Sequence, residues 1–168
     1  RGQLLMACGT GKTLTALWIK ERFKAKRSLV LVPSISLLSQ TRREWIATAS
    51  EPFDSICVCS DKSVVSKDKV KDDWISNTSE IGALVTSDAE EIREFLKRDI
   101  SQVVFSTYQS SLLVAEAQKD SNTPEFDIVF ADEAHRCAGK VSDAFRCVLH
   151  ERKIRSNKKL FLTATPRI

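Results

Sequence analysis

Short apolar runs with few internal charges recur along the chain, at residues 3–6, 29–32, 55–59, 103–105, 128–131 and 160–162. Runs of this length fit strands buried on both faces, as parallel strands are. Stretches with helical spacing of apolar residues lie between them. Residues 12–23 place Leu14, Leu17, Trp18, Ile19 and Phe23 on a wide face, and residues 36–47 carry Leu37, Leu38, Trp45 and Ile46. Ser87 or Asp88 reads as an N-cap, with Glu90 and Glu91 next, then Ile92, Phe95 and Leu96. Residues 109–118 and 141–152 are further predicted helices. Strands alternating with helices define an α/β fold with a largely parallel central sheet flanked by helices. Residues 61–77 are dense in Lys and Asp and have no clean period. Residues 119–125 contain Ser121, Asn122, Thr123 and Pro124 and read as a surface loop. The charged run at residues 152–159 reads as a solvated helix end and loop.

Composition narrows this only a little. The 168 residues amount to one domain, long enough to bury a core without disulfide or metal staples. A hydrophobic fraction of 42% with 29% charged residues excludes a disordered or collagen-like chain. No apolar run approaches the ~18–20 residues of a membrane span, and no signal peptide is visible. A cytoplasmic protein with no membrane partner is therefore expected. The net charge of +4 permits nucleic-acid binding without arguing for it. Cys8, Cys57, Cys59, Cys137 and Cys147 are odd in number and fit no CxxC framework, which reads as free thiols in a reducing compartment. A zinc site on Cys137, Cys147 and His150 lacks the usual ligand spacing. His150 reads as a solvated residue on a charged helical face. The first residue is Arg1, a motif follows almost at once, and the chain stops just after another, so a piece of a longer protein is expected.

Residues 6–13, Met6-Ala7-Cys8-Gly9-Thr10-Gly11-Lys12-Thr13, follow the first predicted strand and open the first helix. This is the placement a phosphate-binding loop requires. Gly9 and Gly11 allow the backbone to turn several N–H groups, that of Thr10 among them, toward one anion. The helix N-terminus adds partial positive charge. Lys12 can reach β- and γ-phosphates, and the Thr13 hydroxyl can hold Mg²⁺. Met6 stands where such loops usually begin with Gly.

The apolar run 128–131 leads into Asp132-Glu133-Ala134-His135. Acids at the C-terminal end of a strand would share a sheet edge with the phosphate loop, where α/β folds bind ligands. Asp132 would support Mg²⁺, and Glu133 is placed to orient or deprotonate an attacking water. Taken alone, such acids could equally cap the next helix. His135 reads locally as a polar helix-start residue or a hydrogen-bonding relay.

With MACGTGKT come LVPSISLLSQT (residues 31–41), STYQS (106–110), DEAH (132–135) and TATP (163–166). In this order they resemble motifs I, Ia, Ib, II and III of superfamily 2 helicases and translocases. The resemblance spans essentially the whole chain. The phosphate loop, STYQS and the stretch VTSDAEEIREFL (85–96) look like helicase-type subunits of restriction enzymes, of the single-polypeptide type I-like or type III kind.

The resemblance implies a RecA-like P-loop NTPase domain, here the first of a tandem pair, covering residues 1–168 without the second. It implies ATP as ligand, bound by Gly9, Thr10, Gly11, Lys12 and Thr13. Mg²⁺ would sit on Thr13 and Asp132, with Lys12, Asp132, Glu133 and His135 as catalytic residues. Thr163 and Thr165 would couple the nucleotide and nucleic-acid sites. Pro33, Ser34, Gln40, Thr107, Tyr108 and Ser110 fall in motifs placed against the nucleic-acid backbone, and Arg42 and Arg43 stand beside one of them. Each has a plainer reading: Pro33 and Ser34 as strand stop and helix cap, Tyr108 as packing, the threonines as strand residues. The expected function is the ATP-binding half of a DNA translocase motor of a restriction-modification enzyme, acting on double-stranded DNA. A second RecA-like domain in cis would complete it, and the chain alone would hydrolyse little. The alternatives are an RNA helicase domain of the same superfamily and a non-hydrolysing nucleic-acid or protein-binding module.

Overall fold

A computed structural model of the chain describes residues 2–7, 9–59, 84–132 and 153–164. Cys8, Glu133, His135, Cys137, Cys147, His150 and Thr165 lie outside these residues, as do the irregular segment 61–77 and the predicted helix 141–152. Seven strands form one sheet: β1 (Gly2–Leu5), β2 (Arg27–Val32), β3 (Asp54–Val58), β4 (Val85–Thr86), β5 (Gln102–Thr107), β6 (Phe126–Asp132) and β7 (Ser156–Thr163). Their spatial order is β1-β7-β6-β2-β5-β3-β4, and every pairing is parallel. Four helices are described: α1 (Lys12–Arg22), α2 (Ile35–Thr48), α3 (Ala89–Lys97) and α4 (Ser111–Ala117). The predicted parallel α/β fold is present.

Side chains alternate across a strand, and here both faces are covered. Leu29, Leu31, Val104, Val129 and Ala131 join Ile92, Phe95 and Leu96 of α3 and Val114 and Ala117 of α4 in one core layer. Val30, Val32, Val103, Phe105, Ile128 and Phe130 join Ala16 and Leu17 of α1 and Leu38 and Trp45 of α2 in the other. This two-sided burial is why the central strands read as unbroken apolar runs. Cys57 and Cys59 are free, buried thiols. Burial pushes the Cys57 thiol up to about 12, which keeps it protonated and unreactive.

Local signals set the helix starts. Asp88 caps α3, its carboxylate accepting from the Glu90 N–H at 2.8 Å. Ser34 caps α2, accepting from the Leu37 N–H at 3.3 Å. One reading is corrected. Residues 156–159 extend β7, with Lys158 opposite Ile128 and Lys159 opposite Val129, where a solvated helix end and loop was expected. Ladder bonds are made by the backbone, so polar side chains do not prevent them. The lysine stems pack: the Lys158 ammonium lies 5.1 Å from the Phe23 ring centroid, and Lys159 is buried. Arg155, in the same run, donates to the carbonyls of Asp120 and Thr123 at 3.0 and 2.6 Å and so pins the 119–125 loop. The two-residue strand β4 was not expected.

Candidate nucleotide site at the carboxyl edge of the sheet

The phosphate loop leaves β1 at its C-terminal end and enters α1. Gly9 and Gly11 have φ of +77° and +87°, the left-handed region that L side chains avoid. A Cβ at either would meet nothing within 4 Å, so the backbone conformation, and not crowding, calls for glycine. The open space on that side is where an anion can approach. Gly11 is the N-cap of α1 and no side chain caps this end; no acid stands in the first turn. The orphan N–H groups of a helix start, with the helix dipole, favour an anion there. Thr10 closes the loop on itself, its hydroxyl donating to the Ala7 carbonyl at 2.7 Å.

Lys12 is buried at 8% exposure, and its ammonium donates to the Met6 and Ala7 carbonyls at 3.4 Å each. These are long contacts. A polyphosphate would offer charged acceptors at shorter range. Loop, uncapped helix and lysine therefore fit the phosphates of a nucleotide.

The neighbouring strands bring the other motifs to the same edge. β7 lies between β1 and β6, with Leu5 opposite Thr163 and Leu162 opposite Asp132. The Met6 N–H donates to the Thr163 carbonyl at 3.1 Å, so the base of the phosphate loop is fastened to the end of β7. Strands two places apart in a sheet are about 10 Å apart, the scale of a phosphate chain with its ion. Alternation along β6 puts Ile128 and Phe130 on the α1 side, and Asp132 follows them there. Thr13 and Asp132 offer a hydroxyl and a carboxylate, the hard oxygen donors Mg²⁺ prefers.

Trp45 was read only as part of the apolar face of α2. It is fully buried, and its indole N–H donates to the Thr13 carbonyl at 2.9 Å. Its ring meets Phe53, Phe105 and Phe130 edge-on at centroid distances of 6.4, 5.6 and 5.7 Å. The one sequence signal was chemical: a tryptophan in a core needs a partner for its N–H. Trp45→Phe is expected to lower stability by about 2–3 kcal/mol, from the lost hydrogen bond and the space left. A fall in urea midpoint at unchanged slope, with a raised KM for ATP, would show it. An unchanged midpoint would remove Trp45 from the support of the loop.

The residues singled out for nucleic acid divide. Pro33 and Ser34 follow β2 at the carboxyl edge, and Thr107, Tyr108 and Ser110 form the turn after β5 at the same edge. That turn is tightly bonded: the Thr107 hydroxyl lies 3.2 Å from the Ser110 hydroxyl and accepts from the Ser110 N–H at 3.3 Å. Tyr108 is buried at 4% exposure, and its hydroxyl donates to the Asp132 carbonyl at 2.8 Å. α2 runs away from the edge at 1.5 Å per residue. Arg42 thus lies down the helix, its Nε donating to Ser55 at the start of β3 at 3.0 Å. Arg43 is exposed one residue on. Gln40 is exposed and donates to Glu44 at 2.8 Å. The structure brings Gly9, Thr10, Gly11, Lys12, Thr13, Asp132 and Thr163 to one edge, and leaves Gln40, Arg42 and Arg43 on the flank of α2.

A phosphate loop after one strand and an acid ending the strand two places away, on an all-parallel sheet covered on both faces, define a RecA-like nucleotide-binding domain of the helicase kind. The chain belongs to the ResIII family, type III restriction enzyme, res subunit, whose model matches residues 1–168. Membership implies nucleotide use. The chain is similar to the "Probable helicase A859L" of African swine fever virus (strain Badajoz 1971 Vero-adapted), at 31% identity over 170 residues. That match covers 99% of this chain and 17% of the viral protein. Among solved structures it resembles a nuclease-deletion mutant of the type ISP restriction-modification enzyme LlaGI in complex with a DNA substrate mimic (36% identity, TM-score 0.75, all of this chain and 16% of that one). It resembles also the ATP-dependent type ISP restriction-modification enzyme LlaBIII bound to DNA (37%, TM-score 0.77, all of this chain and 12% of that one). The Pyrococcus furiosus Hef helicase domain shares the fold at 19% identity and a TM-score of 0.60, over all of this chain and 30% of that one. Among the described residues no helix is long and apolar enough to cross a membrane, and no cluster of His, Cys, Asp and Glu could hold a metal ion.

Proposed function

We propose that this chain is the ATP-binding half of a translocase motor that moves on double-stranded DNA within a restriction-modification enzyme. The observation that carries the reading is the gathering of the Gly9–Lys12 loop, Thr163 and Asp132 on three adjacent strand ends. The loop's backbone N–H groups and Lys12 hold the phosphates in place, and Thr13 and Asp132 hold Mg²⁺ between them. Bound Mg²⁺ supplies neutralisation of charge on the β- and γ-phosphate oxygens. Glu133, next in the chain, takes the proton of the attacking water. Thr163, hydrogen-bonded to the base of the loop, and Thr165 after it pass the nucleotide state on, with His135. A second RecA-like domain in cis supplies charge from the far side of the nucleotide, so residues 1–168 alone turn over slowly. The DNA-bound type ISP relatives and the parallel with superfamily 2 translocases support double-stranded DNA as the track.

The test is ATP turnover by the natural protein that carries this chain, with duplex DNA, duplex RNA or no nucleic acid. Stimulation by duplex DNA of about tenfold or more, the size of a 1.4 kcal/mol change in barrier, is expected. Stimulation by RNA alone would replace the reading with an RNA helicase. No turnover with any of them would replace it with a non-hydrolysing module.

A further inference from the structure

Tyr108 has a place in the fold that its motif does not explain. It follows the last residue of β5, and its backbone N–H donates to the Val32 carbonyl at 3.0 Å, continuing the ladder to the end of β2. Its ring lies in the core layer under α3 and α4, beside Leu31 and Ala131. Its hydroxyl reaches past β2 to the Asp132 carbonyl at 2.8 Å. One residue therefore joins the ends of β5, β2 and β6. From these ends start the turn 107–110, the segment Pro33–Ser34 and the acid pair. The Asp132 carboxylate belongs to the opposite face, toward α1, so the contact from Tyr108 holds the backbone of Asp132 without occupying its side chain.

We propose that Tyr108 is a positioning residue, which sets the Asp132 backbone from the β5 turn and so links the nucleic-acid side of the edge to the nucleotide side. This rests on the motor reading above. The physical argument is one of rigidity. A hydroxyl bonded to a carbonyl in a buried setting holds more firmly than in water. The turn carrying Tyr108 is itself cross-bonded between Thr107 and Ser110. A nucleic-acid strand pressing on that turn would displace Asp132 with it, and catalysis by positioning is sensitive to displacements of this order. A residue 4% exposed does not itself meet the strand face on.

Tyr108→Phe removes the hydroxyl and keeps the ring, while Tyr108→Leu removes the ring as well. In the natural protein, Tyr108→Phe should cut the ratio of DNA-stimulated to unstimulated ATP turnover about tenfold, a loss in kcat. The KM for ATP and the Kd for duplex DNA should stay within about twofold, and the melting temperature within about 4 °C. Tyr108→Leu should show the same loss of ratio together with a larger fall in melting temperature. Wild-type stimulation in Tyr108→Phe, with damage only in Tyr108→Leu, would reduce Tyr108 to packing and overturn the proposal. A raised Kd for DNA at unchanged kcat would make it a direct contact, and overturn it too. Absence of stimulation in the wild-type protein would instead overturn the motor reading, and this proposal with it.

Discussion

Lys12→Ala should reduce ATP turnover by about 10²–10³-fold in the natural protein, the cost of removing one preorganised charge from a phosphoryl-transfer site. Phosphoryl transfer leaves the protein little to do beyond positioning and charge stabilisation, and Lys12 is the cation built into the loop. Its two printed hydrogen bonds, to the Met6 and Ala7 carbonyls, are long at 3.4 Å. Those carbonyls lie beside an open loop that solvent can reach, so the alanine variant should keep its fold. The loss should therefore appear in both kcat and KM, with little change in urea midpoint. Phosphate release under saturating DNA and titration with a fluorescent ATP analogue would measure the two effects. Turnover within a few-fold of wild type would remove Lys12 from the reaction, and with it the reading of the loop.

Glu133→Gln should be nearly as damaging to turnover and much gentler on binding. A well-placed general base contributes about 10²–10⁴-fold, and glutamine cannot take the proton. The amide keeps the size and polarity of the side chain, and phosphate affinity rests on the loop, Lys12 and the metal ligands Thr13 and Asp132. The variant should thus bind ATP within a few-fold of wild type and hold it unhydrolysed. Comparing Lys12→Ala with Glu133→Gln separates holding the phosphates from activating the water. Retained translocation by Glu133→Gln, followed by displacement of a bound strand, would assign the base to another residue.

The sequence read well where one physical cause dominated. β2, β5 and β6 are covered by helices on both faces, so they showed as apolar runs. The phosphate loop showed because positive φ demands glycine at Gly9 and Gly11, and a helix start demands little else of its neighbours. Asp132 could be placed beside it once parallel strands were assumed, since all their C-terminal ends share an edge. Reading failed where tertiary contacts overrode local character. The first half of β7 is polar, and only its ladder to β6 makes it a strand. Arg42 stands next to motif Ia in sequence, but the helix carries it down to Ser55. The bonds from Trp45 to Thr13 and from Tyr108 to Asp132 join positions 32 and 24 residues apart. Such partners leave no trace in local periodicity.

The order of the strands also bears on how the domain is assembled in time. β1, which carries the phosphate loop, pairs with β7, the last strand described, so the first element made must wait for the final one. No hairpin joins any two of the described strands, and each parallel pairing needs its crossover closed first. On a ribosome, β2, β5, β3 and β6 can associate while β1 is still without its neighbour. The nucleotide-binding loop therefore acquires its foundation last, when the chain has been synthesised through Thr163.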